Sequence, residues 1–504
     1  MKELVYARLF LPAAERHAQR VSITDGGYTA TFAEHAVRVL RLTDALRREG
    51  LGRGDRFAVV ALNSHRFLEL YHAAFLGAAM ITPVNYRLAD REIEHVLRHS
   101  GASVVFVDAM FGDRIRALVA GSDLTPRIIS LDDDYEQLLA SGEDVIPPEP
   151  DEDDPPMIMY TGGTTGLPKG VVTSQRAQVL NLYHLAMVGG LAFSDQAIYL
   201  HHMPMFHATG LNSGLSASAF GTEGTVVPGF EPGAFLNAVE KHRVTETVLV
   251  PTMIAMVLAH PDYRPERLAS LKRIGYGGMA MPHALLERLR LSAPDISLLQ
   301  GYGMTEACAA LTFLTAEDHE RGEEQRHAVG RAVPGVEVAI FNPEGQRLPV
   351  GEIGEVCARG GNLMTGYWND LASTAKVFRD GWYRSGDLGR LDADGFLYLA
   401  DRIDDMIVTG GENVYSLEVE NALATYPGVL QVAVVGQPDE TWGSRVHGIV
   451  VLSAQAAQAT TEADLAAHAR STIAGYKVPK SWELRTEPLP VSGAGKPLKR
   501  ELRV

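Results

Sequence analysis

The alternation of hydrophobic and polar positions in the first three hundred residues predicts an α/β protein. Residues 56–62 form an apolar run, and Asn63-Ser64 offers a helix N-cap before a stretch of helical periodicity that ends near Leu76. Apolar runs resume at residues 79–81 and 104–107. Strand, helix and strand in this order are typical of a parallel sheet that is covered by helices.

The same rhythm continues to about residue 299, and the pattern then changes. Residues 225–227 and 247–250 predict further strands, and residues 285–291 have helical periodicity. Between about residues 325 and 400, short β-rich runs alternate with Gly, Pro and Asp turns, which favours a small antiparallel barrel or sheet. The last hundred residues return to mixed helices and strands.

We therefore predict an α/β fold with two domains. The large N-terminal domain, residues 1–403, contains two α/β subdomains and a small β-barrel-like subdomain at about 325–400. A small, mobile α+β domain, residues 404–504, follows it. A chain of 504 residues is too long for one ordinary hydrophobic core, which agrees with this division. The acidic, proline-rich residues 142–156 are predicted to be a solvated linker on the surface.

Composition and charge argue against several classes of partner. The net charge is −16, so the chain lacks the excess of positive charge that is typical of proteins that bind nucleic acid or an anionic membrane. An anionic ligand would need a local cationic site. The two cysteines, Cys308 and Cys357, argue against a disulfide scaffold or a structural zinc site and fit a reducing cytoplasm. There is no apolar run of the length of a membrane span, and the N-terminus lacks the pattern of a signal peptide. We expect a cytoplasmic protein.

The stretch from Tyr160 to Gly170, YTGGTTGLPKG, has the composition of a phosphate-binding loop. It combines four glycines, three threonines and one lysine. Glycine lets the backbone approach a ligand closely, amides and hydroxyls donate to phosphate oxygens, and Lys169 adds a positive charge. It is not a Walker A loop, in which the lysine directly follows a glycine, because Pro168 precedes Lys169 here. The alternative is a flexible surface turn.

Four further stretches carry more polar chemistry than packing requires. In residues 301–306, GYGMTE, the tyrosine could stack on a base, the threonine could donate to a phosphate, and the glutamate could hold Mg²⁺; the alternative is a strand that ends in a turn. Residues 382–387 end in a carboxylate that could accept both hydroxyls of a ribose, or they form an ordinary hairpin turn. Residues 401–413 contain a glycine pair and are interpreted as a hinge; the alternative is a rigid linker. Residues 493–496 end in a lysine that is either catalytic or an ordinary solvated charge.

Together and in this order, these stretches resemble the adenylate-forming superfamily. This superfamily includes acyl-CoA synthetases, the adenylation domains of nonribosomal synthetases, and firefly luciferase. The likeness extends from the early strand–helix–strand region to Lys496. It implies that the loop wraps the β- and γ-phosphates of ATP. The residues that the resemblance assigns to ATP or AMP are Thr161, Gly162, Gly163, Thr164, Thr165, Gly166, Lys169, Tyr302, Gly303, Thr305, Asp387, Arg402 and Lys496.

The resemblance gives these residues distinct roles. Tyr302 would stack on the adenine, and Thr305 would contact the α-phosphate. Glu306 would hold Mg²⁺, the only metal ligand that is assigned. Asp387 would bind the ribose hydroxyls, and Arg402 would lie near the ribose and phosphate.

The implied reaction has two steps with a domain rotation between them. A carboxylic acid and ATP first give an acyl-adenylate and pyrophosphate, with Lys496 bridging the carboxylate and the α-phosphate. A rotation about the hinge residue Asp404 then withdraws Lys496, and the thiol of coenzyme A releases AMP. The residues that are expected to contact coenzyme A are Gly410, Gly411, Glu412, Trp442, Tyr476, Lys477 and Lys480.

The acyl pocket is expected beside His207, which would gate it; the alternative is a core histidine that is bonded to backbone. The candidate lining is His207, Ala208, Thr209, Gly210, Met253, Gly278, Met279, Gly303 and Cys308. It contains no Arg or Lys for a second carboxylate and no acid for an ammonium group. We therefore predict a neutral-tailed substrate, either a medium- or long-chain fatty acid or an aryl or arylpropenoic acid.

Three positions depart from the family pattern, and three functions stay open. Gly162 stands where serine or threonine is usual, Val408 where many members have lysine, and Ser416 where proline is frequent. The first hypothesis is an acyl-CoA synthetase. The others are a stand-alone adenylating enzyme that loads a carrier protein and a non-catalytic nucleotide-binding homologue. The family also leads us to expect a homodimer.

Overall fold

Two large sheets with covering helices carry most of the chain. The computed structural model describes residues 3–161, 167–188, 194, 196–279, 281–439, 441–491 and 497–503. The α/β rhythm that the sequence predicts is present in these residues, and the predicted fold class is confirmed. In the part of the chain that the structure describes, no helix has the length and apolar character to cross a membrane.

The helices and strands follow in chain order. The helices are α1 (Ala7–Arg16), α2 (Phe32–Arg48), α3 (His65–Phe75), α4 (Asp90–Ser100), α5 (Gly112–Ala120), α6 (Tyr135–Ala140), α7 (Gln175–Met187), α8 (Ala208–Ala219), α9 (Pro232–His242), α10 (Pro251–Ala259), α11 (His283–Ser292), α12 (Ala316–Arg321), α13 (Leu371–Val377), α14 (Ser416–Ala424) and α15 (Glu462–Arg470). The strands of the first half are β1 (Val21–Asp25), β2 (Tyr28–Thr31), β3 (Arg56–Val60), β4 (Met80–Pro83), β5 (Val104–Val107), β6 (Arg127–Ser130), β7 (Met157–Thr161), β8 (Lys169–Thr173), β9 (Ile198–His201), β10 (Glu223–Val226) and β11 (Glu246–Leu249). Those of the second half are β12 (Arg273–Gly277), β13 (Ser297–Tyr302), β14 (Thr312–Leu314), β15 (Arg331–Ala332), β16 (Val336–Phe341), β17 (Gly354–Gly360), β18 (Gly366–Tyr367), β19 (Phe378–Arg379), β20 (Trp382–Leu391), β21 (Leu397–Arg402), β22 (Ile407–Thr409), β23 (Glu412–Val414), β24 (Val429–Asp439), β25 (Gly443–Leu452) and β26 (Ser481–Arg485).

The first sheet has the strand order β15-β14-β13-β12-β11-β9-β10-β1-β2. Its central strands are parallel, and the strands at both ends run antiparallel to their neighbours. Parallel strands need helical crossovers, which explains why helices α9, α10 and α11 separate β10 through β13 along the chain. Ligands of such sheets bind beyond the carboxyl ends of the strands, so the residues after β12 and β13 are candidates for a site.

The second sheet has the order β18-β8-β7-β4-β3-β5-β6. Strands β7 and β8 are antiparallel partners in which Thr161 lies opposite Lys169. The predicted phosphate loop is therefore the connection of a β-hairpin at one side of this sheet. The predicted N-cap of α3 is also present, because the hydroxyl of Ser64 accepts a hydrogen bond from the Phe67 amide.

The β-rich subdomain and the C-terminal residues form smaller sheets. Strands β16, β17, β20 and β19 form an antiparallel sheet, and β21 pairs with β20. After β21 come the β22–β23 hairpin and a three-stranded sheet of β24, β25 and β26, which packs with α14 and α15 around its own core. The boundary at residues 403 and 404 stays a prediction.

The interpretation of residues 142–156 as a solvated linker is wrong for Glu152. This carboxylate is buried, accepts hydrogen bonds from the Glu3 and Leu4 amides at 2.9 and 3.0 Å, and pairs with Arg176 on α7. It therefore ties the N-terminal segment to α7. The acidic composition gave no sign of this, because a charge cluster normally lies in solvent.

Candidate active site

A cavity of about 1510 Å³ lies where both large sheets, the β-rich subdomain and residues 497–503 meet. One group of lining residues is polar and charged; we call it the charged wall and define it by Lys169, Glu306, Tyr367 and Arg402. The second group is the glycine wall, which comprises Val248, Gly275, Gly277, Leu299, Gly301 and Phe313.

Three of the residues that the sequence predicts for a nucleotide form one connected group beside the charged wall. Tyr302 ends β13, while Asp387 and Arg402 lie opposite each other on β20 and β21. The Tyr302 hydroxyl donates to Asp387 Oδ2 at 2.7 Å, and Arg402 Nε lies 2.9 Å from Asp387 Oδ1. Burial and the adjacent Asp387 carboxylate raise the pKa of Tyr302, so its hydroxyl stays protonated and fixes the carboxylate.

Tyr302 and Asp387 are buried behind the cavity surface. The cavity lining next to them is formed by Gly303, Gly386 and Arg402. The structure thus brings the predicted adenine and ribose residues together. Their roles toward a nucleotide stay predictions.

Thr305 and Glu306 lie on a strained turn that lines the cavity. The turn continues through Cys308 and Ala309, which have φ values of 54° and 100°, a region that residues other than glycine seldom adopt. Asn212 holds the turn by donating to the Cys308 carbonyl at 3.0 Å. Asn362 donates to the Ala307 and Ala310 carbonyls at 3.3 and 2.7 Å, and these buried amides offset the strain.

Glu306 fits the predicted magnesium site. The Tyr367 hydroxyl donates to Glu306 Oε1 at 3.0 Å, and the Lys169 ammonium lies 5.2 Å from the centre of the Tyr367 ring. Among the described residues, no cluster of three or more His, Cys, Asp or Glu could hold a metal. One carboxylate that is shared with phosphate oxygens is the usual arrangement for Mg²⁺, so the residues present suit an ion that binds together with a nucleotide.

The phosphate loop is described only at its two ends. Thr161, Leu167, Pro168 and Lys169 line the cavity. Gly162, Gly163, Thr164, Thr165 and Gly166 lie outside the described residues.

Lys496 also lies outside the described residues, and so do the other residues from 492 to 495. On either side of this stretch, Val491 and Pro497 form an antiparallel bridge, and both line the cavity. Arg503 donates to the Asp404 carbonyl at 2.8 Å and to Asp405 Oδ1 at 2.5 Å. The C-terminal end of the chain thus lies against the predicted hinge and the cavity.

A buried polar cluster connects the two sides of the predicted hinge. The backbone amide and the hydroxyl of Ser416 both donate to the Asp401 carboxylate. The Lys499 ammonium donates to Ser416 Oγ and pairs with Glu420, each at 2.7 Å. Proline, which is frequent at this position in the family, has no amide hydrogen. The serine at position 416 therefore makes a backbone bond to Asp401 that a proline could not make.

The glycine wall consists of two rows of register partners across neighbouring strands. Val248, Gly275 and Leu299 are register partners on β11, β12 and β13, and Gly277, Gly301 and Phe313 form the next such row. A Cβ on Gly275 would lie 2.9 Å from Val248 Cγ2, and one on Gly301 would lie 3.0 Å from Phe313 Cε1. Glycine is therefore what lets the Val248 and Phe313 side chains pack closely against these strands.

Polar residues of α8 also line the cavity. Thr209, Asn212 and Ser213 share one helix face because they are three and four residues apart. The Ser213 hydroxyl donates to the Thr209 carbonyl at 2.7 Å and accepts from the Tyr199 hydroxyl at 2.8 Å. Its oxygen keeps one lone pair for a further donor.

The predicted acyl-pocket residues divide into two sets. His207, Ala208, Thr209, Gly278 and Gly303 line the cavity, and His207 caps α8 by accepting from the Thr209 amide at 3.3 Å. Gly210, Met253, Met279 and Cys308 are not among the lining residues. Met253 packs in a hydrophobic core, and the Cys308 thiol is buried, which raises its pKa.

The sequence interpretation missed most of the glycine wall and the α8 residues Asn212 and Ser213. A signal was present: Gly275 and Gly277, like Gly301 and Gly303, are two residues apart and so share a face of a strand. Asn212 and Ser213 follow Thr209 at helical spacing.

The predicted coenzyme A residues lie away from the cavity lining. Gly410 and Gly411 form the β22–β23 turn with φ values of 59° and 86°, and Trp442 packs on Gly410 while 57% exposed. The predicted CoA lysines also have partners: Lys477 pairs with Glu418 at 2.7 Å, and Lys480 donates to the Gly475 carbonyl at 3.5 Å. Tyr476 lies beside Lys477, and Glu412 is exposed in the same turn as Gly411.

The hairpin with the predicted phosphate loop, the Glu306 carboxylate and the connected Tyr302–Asp387–Arg402 group agree with comparisons to known proteins. The family model described as "AMP-binding enzyme" matches residues 10–368, and that of the "AMP-binding enzyme C-terminal domain" matches residues 418–496. The chain belongs to the AMP-binding enzyme family. The predicted membership of the adenylate-forming superfamily is thereby confirmed.

Named relatives match almost the whole chain. A feruloyl-CoA synthase of Amycolatopsis sp is 38% identical, with 96% of this chain and 95% of the relative covered. An indoleacetate–CoA ligase of Aromatoleum aromaticum is 35% identical, with 94% and 92% covered. Among solved structures, ATP-bound MatB from Rhodopseudomonas palustris superposes with a TM-score of 0.89 at 28% identity, with 100% of this chain and 98% of that chain covered.

These relatives confirm the predicted enzyme class. The chain is an AMP-forming acyl-CoA synthetase, an acid–thiol ligase that uses ATP, Mg²⁺ and coenzyme A. The roles of individual residues, the homodimer and the cytoplasmic location stay predictions.

Proposed function

We propose that this member of the AMP-binding enzyme family activates an aryl or arylpropenoic acid, and that the acyl group lies on the glycine wall. The acid's carboxylate oxygen attacks the α-phosphorus of ATP, and the bond to pyrophosphate breaks. The sulfur of coenzyme A then attacks the acyl carbon of the adenylate. The carbon–oxygen bond to AMP breaks, and the thiol loses its proton.

The observation that carries the proposal is the apolar composition of the glycine wall. Gly275, Gly277 and Gly301 line the cavity without side chains of their own, beside Val248, Leu299 and Phe313. A planar ring can pack on such an apolar surface with little loss of rotational freedom, whereas a flexible chain loses more. The named relatives that act on feruloyl and indoleacetyl groups support the same class.

The chemistry of the glycine wall also argues against a second charge on the substrate. Its six residues carry no ionisable side chain, and neither do the α8 residues Thr209, Asn212 and Ser213 opposite. A carboxylate that is buried there would lose its hydration without gaining a cation. Ser213 offers an acceptor to a phenolic hydroxyl on the ring.

Around the charged wall we assign the phosphates to the lining residues Lys169 and Thr305, and the ribose to the buried Asp387, whose neighbours Gly386 and Arg402 line the cavity. Bound Mg²⁺ would be held by Glu306 and would neutralise phosphate charge. Tyr302 and Arg402 keep the Asp387 carboxylate in place, so its oxygens face a fixed direction. Preformed dipoles of this kind stabilise charge in a transition state without reorganisation.

We assign the bridging contact of the first step to Lys496, and the second step to a rotation about Asp404. The placement of Val491 and Pro497 at the cavity supports the first assignment. The distance of Trp442 and the Gly410–Gly411 turn from the cavity lining supports the second, because they must move if they are to meet the adenylate.

A substrate screen tests the proposal. ATP–pyrophosphate exchange and CoA-dependent AMP release would be measured with ferulate, indoleacetate, octanoate and decanoate. The proposal requires the highest kcat/KM with one of the two ring acids. A preference for either fatty acid of tenfold or more would contradict it, and no exchange with any acid would contradict adenylation itself.

Substitution of Ser213 tests the contact to a ring hydroxyl. Ser213→Ala should reduce the preference for ferulate over its analogue without the hydroxyl by about three- to tenfold, because one neutral hydrogen bond is lost. Ser213→Thr, which keeps the hydroxyl, is the matched control. An unchanged preference in the alanine variant would remove Ser213 from this role.

A further inference from the structure

Two histidines on one face of α4 contact the two ends of the phosphate loop. His95 Nε2 lies 3.1 Å from the Pro168 carbonyl, at the second end of the loop. His99 Nδ1 lies 2.9 Å from the Tyr160 hydroxyl, at the first end. Both histidines are partly buried and line the cavity. One helix thus holds both strands of the β7–β8 hairpin at the point where they leave the sheet.

The spacing of the two histidines explains how they act together. Residues four apart lie on the same helix face, and the two rings stack with centroids 5.3 Å apart and planes at 14°. The start of α4 is fixed as well, because the Glu92 carboxylate accepts from the Ala89 amide at 3.0 Å. The pair is therefore held in one orientation by the helix.

The hairpin beneath the histidines is tightly packed. Tyr160 lies opposite Gly170, where a Cβ would come within 2.7 Å of Ile158 Cγ2 and 3.1 Å of Tyr160 Cζ. Trp368 joins the same packing: its amide donates to the Gly170 carbonyl at 2.7 Å, and its indole donates to the His99 carbonyl at 3.1 Å. A displacement of Tyr160 or Pro168 would therefore disturb the whole group.

The partner of His95 fixes the direction of its bond. A carbonyl only accepts, so His95 must carry its proton on Nε2 and donate to Pro168. At the other end, Nδ1 of His99 and the Tyr160 hydroxyl share one hydrogen bond, and the tautomer of His99 decides which of them donates. Burial raises the pKa of Tyr160, while burial and the adjacent His95 lower the pKa of His99, so both groups are in their neutral forms.

We propose that His95 and His99 are positioning residues that hold the phosphate-loop hairpin, and with it Lys169, in the geometry that receives the phosphates of ATP. This rests on the proposed role of Lys169. Pro168 directly precedes Lys169, and Tyr160 and Thr161 lie opposite Gly170 and Lys169. Loss of either bond would therefore weaken the binding of ATP more than the binding of the acid.

Substitution of His95 separates its hydrogen bond from its ring packing. His95→Phe keeps a stacked ring without the donor, whereas His95→Gln keeps an amide donor near the position of Nε2. In ATP–pyrophosphate exchange, His95→Phe should raise the KM for ATP by about three- to tenfold, with the KM for the acid within twofold of wild type. His95→Gln should remain within about twofold, and so should the control His242→Phe on α9, outside the cavity lining.

A double-mutant cycle tests His99. His99→Phe and Tyr160→Phe each remove the same bond, so the double variant should raise the KM for ATP no more than either single variant. Additive effects would contradict the bond, and so would an unchanged KM for ATP in all three variants. Equal losses in His95→Phe and His95→Gln, or equal changes in the KM for ATP and acid, would reduce the pair to a structural role and overturn the proposal.

Calorimetric titration with ATP and Mg²⁺, without acid, provides a readout that does not depend on catalysis. His95→Phe should bind ATP about three- to tenfold more weakly than His95→Gln. This comparison holds even if no tested acid is a substrate, so a failure of the substrate proposal is distinguishable from a failure here. Equal dissociation constants for the two variants would contradict the positioning role.

Discussion

The charged wall and the glycine wall of one cavity are built by different means. At the charged wall, Glu306, Tyr367 and the Tyr302–Asp387–Arg402 group are fixed by side-chain hydrogen bonds and an ion pair. At the glycine wall, the decisive feature is the lack of side chains on Gly275, Gly277 and Gly301. In the function that we propose, the first wall fixes charges for a reaction that is common to all acids, and the second selects among acids.

This difference makes a general prediction about substitutions. A change at the charged wall should alter the rate or the ATP dependence with every acid by the same factor, because it acts on the shared phosphate chemistry. A change at the glycine wall should alter the ranking of the acids and leave the KM for ATP unchanged. Three substitutions test this division, from the largest expected effect to the smallest.

Removal of the Glu306 charge should have the largest effect. Glu306→Gln can still accept from the Tyr367 hydroxyl, so the fold should persist, but the carboxylate for Mg²⁺ is lost. We expect kcat for ATP–pyrophosphate exchange to fall by about 10²- to 10³-fold with every acid. An unchanged melting temperature is the control. A loss of kcat that differs tenfold between two acids would contradict the division of roles between the two walls.

Narrowing of the glycine wall should have an intermediate effect. The new methyl group of Gly275→Ala would press on Val248 Cγ2, at 2.9 Å, and reduce the space for a ring. We expect kcat/KM for ferulate to fall about tenfold, while that for a short acid such as propionate changes by less than twofold. Val248→Ala in the same background should restore part of the loss. A raised KM for ATP would show that the two walls are not independent.

Loss of the Ser416 bonds across the predicted hinge should have the smallest effect. Ser416→Pro removes both the amide and the hydroxyl that donate to Asp401, and proline is well tolerated in the first turn of a helix. We expect adenylation to slow about two- to fivefold, with thioester formation from supplied acyl-AMP unaffected and the ranking of acids unchanged. Ser416→Ala loses only the hydroxyl, so the difference between the two variants isolates the amide bond. Slowing of both half-reactions by the same factor would contradict a role of Ser416 in the domain arrangement that carries out adenylation.

Most of the charged wall and the group beside it could be predicted from the sequence because the residues come in short, ordered motifs. Tyr302, Thr305 and Glu306 lie within five residues, and Asp387 and Arg402 belong to other recognisable stretches. Tyr367 was missed, because it lies in none of these motifs. What sequence could not give is that Tyr302 and Arg402 hold the Asp387 carboxylate between them. That contact depends on β13 and β20 belonging to different sheets that meet at the cavity.

The glycine wall was harder to predict for a physical reason. Its rows, such as Val248, Gly275 and Leu299, are formed by the register of parallel strands that are far apart along the chain. Local patterns fix which residues share a face of one strand, but not which strand lies beside it. Met253 and Cys308 were assigned to the pocket from nearby motifs, and the structure buries both elsewhere.

His95 and His99 illustrate the same limit within a helix. Their spacing of four was visible in the sequence, yet nothing local indicated that α4 lies against the β7–β8 hairpin. Glu152 is a similar case, because its buried bonds to the N-terminal segment depend on a partner about 150 residues away.

The central claim is that an uncharged acyl surface lies beside a charged nucleotide site, and one matched pair of acids tests it most directly. Ferulate and 4-carboxycinnamate share the arylpropenoic frame, but the second acid carries a carboxylate in place of the phenolic hydroxyl and lacks the methoxy group. In CoA-dependent AMP release, we predict that kcat/KM for ferulate exceeds that for 4-carboxycinnamate by about a hundredfold or more, because the glycine wall offers no cation. Equal values, or a preference for the diacid, would contradict the account.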